Sequence, residues 1–165
     1  MRIIFIILAV LLFCFSMNAQ DGRPEFYPIC GDPQNESMLA TRLSGKVIKI
    51  VDGNTIIIKS GNKSRTIDLV AVDVGLNENK AKNFLSKEIL KKNVFFLIYN
   101  DKNDNNRKVA DVYYKDVYSA SRSMITKGIA HYKKPDDYTF SNYKACVYQR
   151  LEEMAKKEKL GIWAK

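Results

Sequence analysis

The sequence predicts a small five-stranded Greek-key β-barrel with three α-helices, an α+β domain. Three observations predict it. Between Gly45 and Leu76, three β-branched runs are separated by tight-turn residues. Two more compact apolar runs follow, at Val94 to Tyr99 and Val109 to Tyr114. Helix-periodic segments lie between and after them. Strands this short, punctuated by Gly and Asn and interleaved with helices, fit closure into a small barrel.

The elements can be taken in order. Val47, Ile48 and Ile50 lead into Asp52-Gly53-Asn54, and Thr55 to Ile58 leads into Ser60-Gly61-Asn62. Both separators carry residues that accept the positive φ of hairpin turns. Arg65 to Val72 reads as the third strand. Asn77-Glu78-Asn79 offers a helix cap, after which Ala81, Phe84, Leu85 and Ile89 share one face of a helix over Lys80 to Lys92. Val94 to Tyr99 is the fourth strand, Asn100 to Lys108 a polar turn, and Val109 to Tyr114 the fifth strand. Ser119 or Ser121 caps a short helix ending at Gly128. A last helix runs from about Ser141 to Lys159 with Val147, Leu151, Met154 and Ala155 inward, stopped by Gly161.

Ahead of this domain, residues 1–19 read as a secretory signal: Arg2, an apolar run from Ile3 to Phe15, then a small residue at Ala19. A retained membrane anchor is the alternative, although the run is short for a bilayer span. Residues 20–43, with Pro24, Pro28 and Pro33, read as an extended arm, and residues 44–165 as the folded domain. Localisation in the periplasm or the medium is expected, with no stable membrane span after cleavage. The 27 Lys and Arg against 18 Asp and Glu give a formal charge of +9, which suits an anionic partner: nucleic acid, a membrane or a cell wall. Cys30 and Cys146 remain after cleavage and either pair in an oxidising compartment or stay as two thiols. With His131 the only histidine, no zinc pattern exists.

The strand-end polar residues Asp52, Asn54, Thr55 and Asp73 either hold a hard cation or serve as turn residues. Here the wording of the chain matters. VIKIVDGNTIIIK (from Val47), IDLVAVDVGL (from Ile67), Arg107 within Asn106 to Ala110, and the tail MAKKEKLGIWAK resemble the staphylococcal-nuclease (thermonuclease-like) family. The resemblance covers Ser44 to Lys165 and implies an oligonucleotide-binding-type barrel of five strands with three helices. It further implies a calcium-dependent phosphodiester hydrolase in which two carboxylates and a backbone carbonyl hold the ion, a glutamate serves the water, and two arginines face the phosphate.

Matched residue by residue, the site departs from that pattern. The metal positions fall on Asn54, Asp73 and the Val74 carbonyl, so one charge is missing and calcium would bind weakly. The glutamate position is Leu76, which neither accepts a proton nor orients water. The first arginine position is Asp68, a reversal of charge, and Arg65 sits on the opposite face of its strand. Arg107 alone keeps its family residue. Tyr132 either stacks on a base, as a tyrosine near this point does in the family, or packs at the barrel edge. Three functions follow: an impaired nuclease homologue that binds single-stranded DNA or RNA, expected to be a monomer; a weak or metal-shifted phosphodiesterase using Asp52, Asp73 and Glu78 with Arg107; or a protein-interaction module of the envelope.

Overall fold

A computed structural model describes residues 30–31, 41–99, 107–115, 118–135 and 140–164. The signal segment 1–19, most of the 20–43 arm and the Asn100 to Asn106 part of the polar turn lie outside the described residues. The elements are β1 (Thr41–Ile50), β2 (Thr55–Ser60), β3 (Lys63–Leu69), β4 (Val72–Asp73), α1 (Glu78–Glu88), β5 (Asn93–Ile98), β6 (Lys108–Tyr114), β7 (Tyr118–Ser119), α2 (Ala120–Thr126), β8 (His131–Tyr132) and α3 (Asn142–Lys157). Short 3-10 turns occupy Gly75–Asn77 and Gly161–Trp163.

The main sheet runs β3-β2-β1-β5-β6-β7, and a parallel pairing of β3 with β6 closes β1, β2, β3, β5 and β6 into a barrel. Alternation fills it: Val47, Ile56, Ile58, Ile67, Phe96, Ala110 and Val112 point inward and are buried. A bulge at Ile48 breaks the β1–β2 register between Val47 and Lys49, the local bend that a closed barrel of short strands needs. The helices cover the barrel with Ala81 and Leu85 of α1, Met124 and Ile125 of α2, and Val147, Leu151 and Ala155 of α3. Ser119 and Ser141 cap α2 and α3 by accepting from the backbone N–H groups of Arg122 and Lys144.

Several boundaries differ from expectation. β1 begins at Thr41, so the first strand takes in residues assigned to the arm. The third strand does not run to Val72. Ala71 takes φ 62°, a left-handed conformation that ends β3 at Leu69 and redirects Val72–Asp73 to pair with His131–Tyr132. Asn77 precedes α1 but makes no side-chain capping bond. Met154 is 40% exposed rather than inward; Leu151 and Ala155, both buried, fill the contact there. Cys30 Sγ is bonded to Cys146 Sγ, with the Cα atoms 5.6 Å apart, which fastens the chain ahead of the barrel to α3.

Candidate functional site

The β1–β2 turn is built by Asp52, whose Oδ1 accepts from the backbone N–H groups of Asn54 (3.0 Å) and Thr55 (2.7 Å). Gly53 lies so close to Val74, Glu78 and Ala81 that a Cβ there would meet their atoms at 3.1 to 3.2 Å. The glycine therefore lets this turn pack directly on the segment after β4. Thr55 faces Asp68 in the β2–β3 register, and its buried hydroxyl donates to Asp68 Oδ1 at 2.8 Å. The Asn54 side-chain oxygen lies 3.3 Å from the same hydroxyl.

The parallel β3–β6 closure aligns Ile67 with Lys108 and so brings Arg107 beside Asp68. Arg107 Nη1 stands 3.7 Å from Asp68 Oδ1, with the two side chains 48% and 24% exposed. Arg107 thus faces the Asp68 carboxylate. One oxygen takes both the threonine hydroxyl and the guanidinium.

The segment after β4 is committed to its own turn. Asp73 is exposed, and its Oδ1 accepts the Gly75 N–H at 3.0 Å. The Val74 carbonyl accepts the Asn77 N–H at 2.8 Å. Leu76 is fully exposed at 105%, and Glu78 is exposed in the first turn of α1. Among the described residues no group of three or more His, Cys, Asp or Glu side chains comes together. Calcium takes six to eight oxygen ligands and depends on their charge. Asp73, Asn54 and the Val74 carbonyl offer a single carboxylate, and Asp73 Oδ1, the Asn54 side-chain oxygen and the Val74 carbonyl each already have an intramolecular neighbour, so this donor set does not fit a calcium centre.

Tyr132 sits in β8, half-buried, its backbone N–H donating to Glu152 Oε1 at 2.9 Å. Its ring lies 6.2 Å from that of Tyr148, and burial pushes its phenol up from the ordinary value. Glu152 also lies 3.7 Å from His131 Nδ1 and takes Lys156 Nζ at 2.7 Å. Tyr132 and His131 are thereby fixed to α3 rather than brought to Arg107 by any described contact.

Sequence reasoning passed over a buried cluster on the outer face of β6. Asp111 is wholly buried and accepts from Tyr113 Oη (2.6 Å), Ser119 Oγ (2.6 Å) and Tyr148 Oη (3.2 Å). Lys144 of α3, itself buried, places Nζ 3.8 Å from Asp111 and donates to Tyr99 Oη at 2.7 Å. Burial first, then the Asp111 charge, pushes the Tyr113 and Tyr148 phenols well above the ordinary range. The available signal was a carboxylate in the middle of an apolar strand, which demands buried partners.

Among comparisons with known proteins, the family model described as staphylococcal nuclease homologue matches residues 75–165, more than half of the chain. The matched span holds Leu76, Arg107 and Tyr132 and begins after Asn54, Asp68, Asp73 and Val74. No curated protein matches the chain.

Proposed function

Since this chain belongs to the staphylococcal nuclease homologue family, we propose that it is an exported nucleic-acid-binding barrel whose phosphodiester hydrolysis is impaired. The observation that carries the reading is the Asp68 carboxylate, bonded to Thr55 and 3.7 Å from Arg107. A transition state for phosphodiester cleavage gathers negative charge, and catalysis needs cationic groups aimed at it. Here the one family-matched cation is partly neutralised by a carboxylate at its side. Leu76 adds neither a base nor a water-positioning group. Arg107 keeps its remaining N–H donors for a backbone phosphate, a use that needs affinity and not chemistry. Partner class follows from the family and from the formal charge of +9.

Export is supported by the residue 1–19 pattern and by the Cys30–Cys146 bond, which persists in oxidising compartments. Among the described residues no helix is long and apolar enough to cross a membrane.

The deciding experiment incubates the purified protein with single-stranded DNA, with calcium and with chelator, and measures salt-dependent retention in parallel. Retention that weakens with salt, falls in Arg107→Ala and rises in Asp68→Asn, without cutting, is the expected result. Calcium-dependent cutting that vanishes in Asp73→Ala would overturn the impaired-nuclease reading. Indifference to nucleic acid at low salt would overturn the binding reading.

A further inference from the structure

A cleft of about 770 Å³ opens at the other end of the barrel, lined by Tyr118, Arg122, Ser123, Lys127 and Lys115 over a floor that includes Leu151. Arg107 immediately precedes β6 and Lys115 immediately follows it, so the two places lie about 25 Å apart along one strand. The cleft is therefore separate from the Arg107–Asp68 site.

Its walls follow from helix and strand periodicity. Ser119, Arg122, Ser123 and Thr126 recur at the spacing that puts them on one face of α2, and Lys127 extends that face. The opposite wall comes from the end of β6 and from β7. There Tyr118 is 58% exposed, with its ring 6.2 Å from the buried Tyr114 ring. Among the described lining residues three cations meet one carboxylate, Glu88, which stands 3.4 Å from Lys115 Nζ. Neither Arg122 nor Lys127 has an acidic partner within 4 Å among the described residues. Ser123 Oγ accepts from Tyr114 Oη and keeps its own proton to donate.

An exposed aromatic face, two uncommitted cations and a free hydroxyl donor over an apolar floor match one ligand chemistry: a planar ring carrying a phosphate. Base stacking on an aromatic ring adds affinity and tolerates any base, because every base has a π-face. The volume lies within the range of small-molecule sites. We infer that this cleft binds a nucleoside monophosphate, free or as one unit of a single strand, with Tyr118 stacking on the base and Arg122, Lys127 and Ser123 holding the phosphate. This site does not rest on the reading of the Arg107 end.

The test titrates the isotopically labelled, disulfide-bonded protein with thymidine monophosphate at low salt and follows backbone amide shifts by NMR. Thymidine and inorganic phosphate serve as separate arms. Shifts should concentrate at Tyr118, Arg122, Ser123 and Lys127, with thymidine alone and phosphate alone each binding about tenfold or more weakly. The double variant Arg122→Gln, Lys127→Gln should weaken the nucleotide about tenfold, and Tyr118→Ala should remove its advantage over phosphate. In Arg107→Ala the cleft shifts should persist, even if nucleic-acid retention at that end is lost or never existed. Shifts confined to Asn54, Asp68 and Arg107, equal binding of phosphate and nucleotide, or no shift at all would each overturn the inference.

Discussion

Replacing Asp111 by Ala should be among the most damaging single changes available to this fold. The carboxylate is wholly buried, takes hydroxyl bonds of 2.6 Å from both Tyr113 and Ser119, and faces Lys144 Nζ at 3.8 Å. Ser119 and Tyr148 can still bond each other at 3.2 Å, but Tyr113 loses its acceptor. Lys144 keeps Tyr99 Oη yet loses its counter-charge at a site only 7% exposed. Breaking a buried pair from one side costs about 3–5 kcal/mol, against a total stability of about 5–15 kcal/mol for a domain. Urea unfolding followed by the fluorescence of Trp163, the only tryptophan, reads the loss as a lower midpoint with unchanged slope. The Asp111→Ala, Lys144→Met double variant should be more stable than Asp111→Ala alone, since it removes the orphaned ammonium. A single-variant loss below about 1 kcal/mol, or a double variant no better than the single, would refute the assignment of a paired buried charge.

Three further outcomes are expected. Tyr113 and Tyr148 ionise less readily folded than unfolded, so their contribution is complete below pH 10, the ordinary tyrosine value, and is lost as pH rises beyond it. The slope approaches about 1.4 kcal/mol per pH unit for each tyrosine, measurable by denaturant titrations on the alkaline side together with absorbance at the tyrosinate band. Reducing the Cys30–Cys146 bond, which links residues 116 apart in sequence, should lower stability by about 2–4 kcal/mol, seen as a drop in melting temperature that Cys30→Ser reproduces. Gly128→Ala should cost about 2–3 kcal/mol, because φ is +60° and its Cβ would lie 2.2 Å from the Leu160 carbonyl oxygen; Gly61→Ala, with φ +59° but open space, should cost about 1 kcal/mol.

The barrel was legible because its signals are local. Val47 to Ile58 alternates inward β-branched residues, and Gly61 sits where the turn between β2 and β3 needs φ +59°. The break at Ala71 was not legible, since alanine carries no local reason for a left-handed backbone. There the chain turns to pair Val72 with the distant Tyr132, which residue spacing does not report. The carboxylate at Asp68 could be read from the sequence. Its contact with Arg107 could not, because it depends on the parallel closure of β3 on β6 between segments about forty residues apart. Asp111 was hidden for a different cause: a strand of apolar residues was read by its majority, and the one buried charge that organises Tyr113, Tyr148 and Lys144 was passed over.

The Gly161–Trp163 turn is sewn to the turn after α2: Ile162 N–H donates to the Gly128 carbonyl at 2.8 Å, and a Cβ on Gly161 would lie 2.0 Å from that oxygen. Synthesis runs from the N-terminus, so every barrel strand is available well before Gly161 leaves the ribosome. The strands can pair early, but α2 receives this clasp only once Gly161 and Ile162 have been made. A nascent chain therefore stays locally unfinished until Gly161 and Ile162 emerge, and a chain stopped before them would carry a barrel with an unfastened helical end.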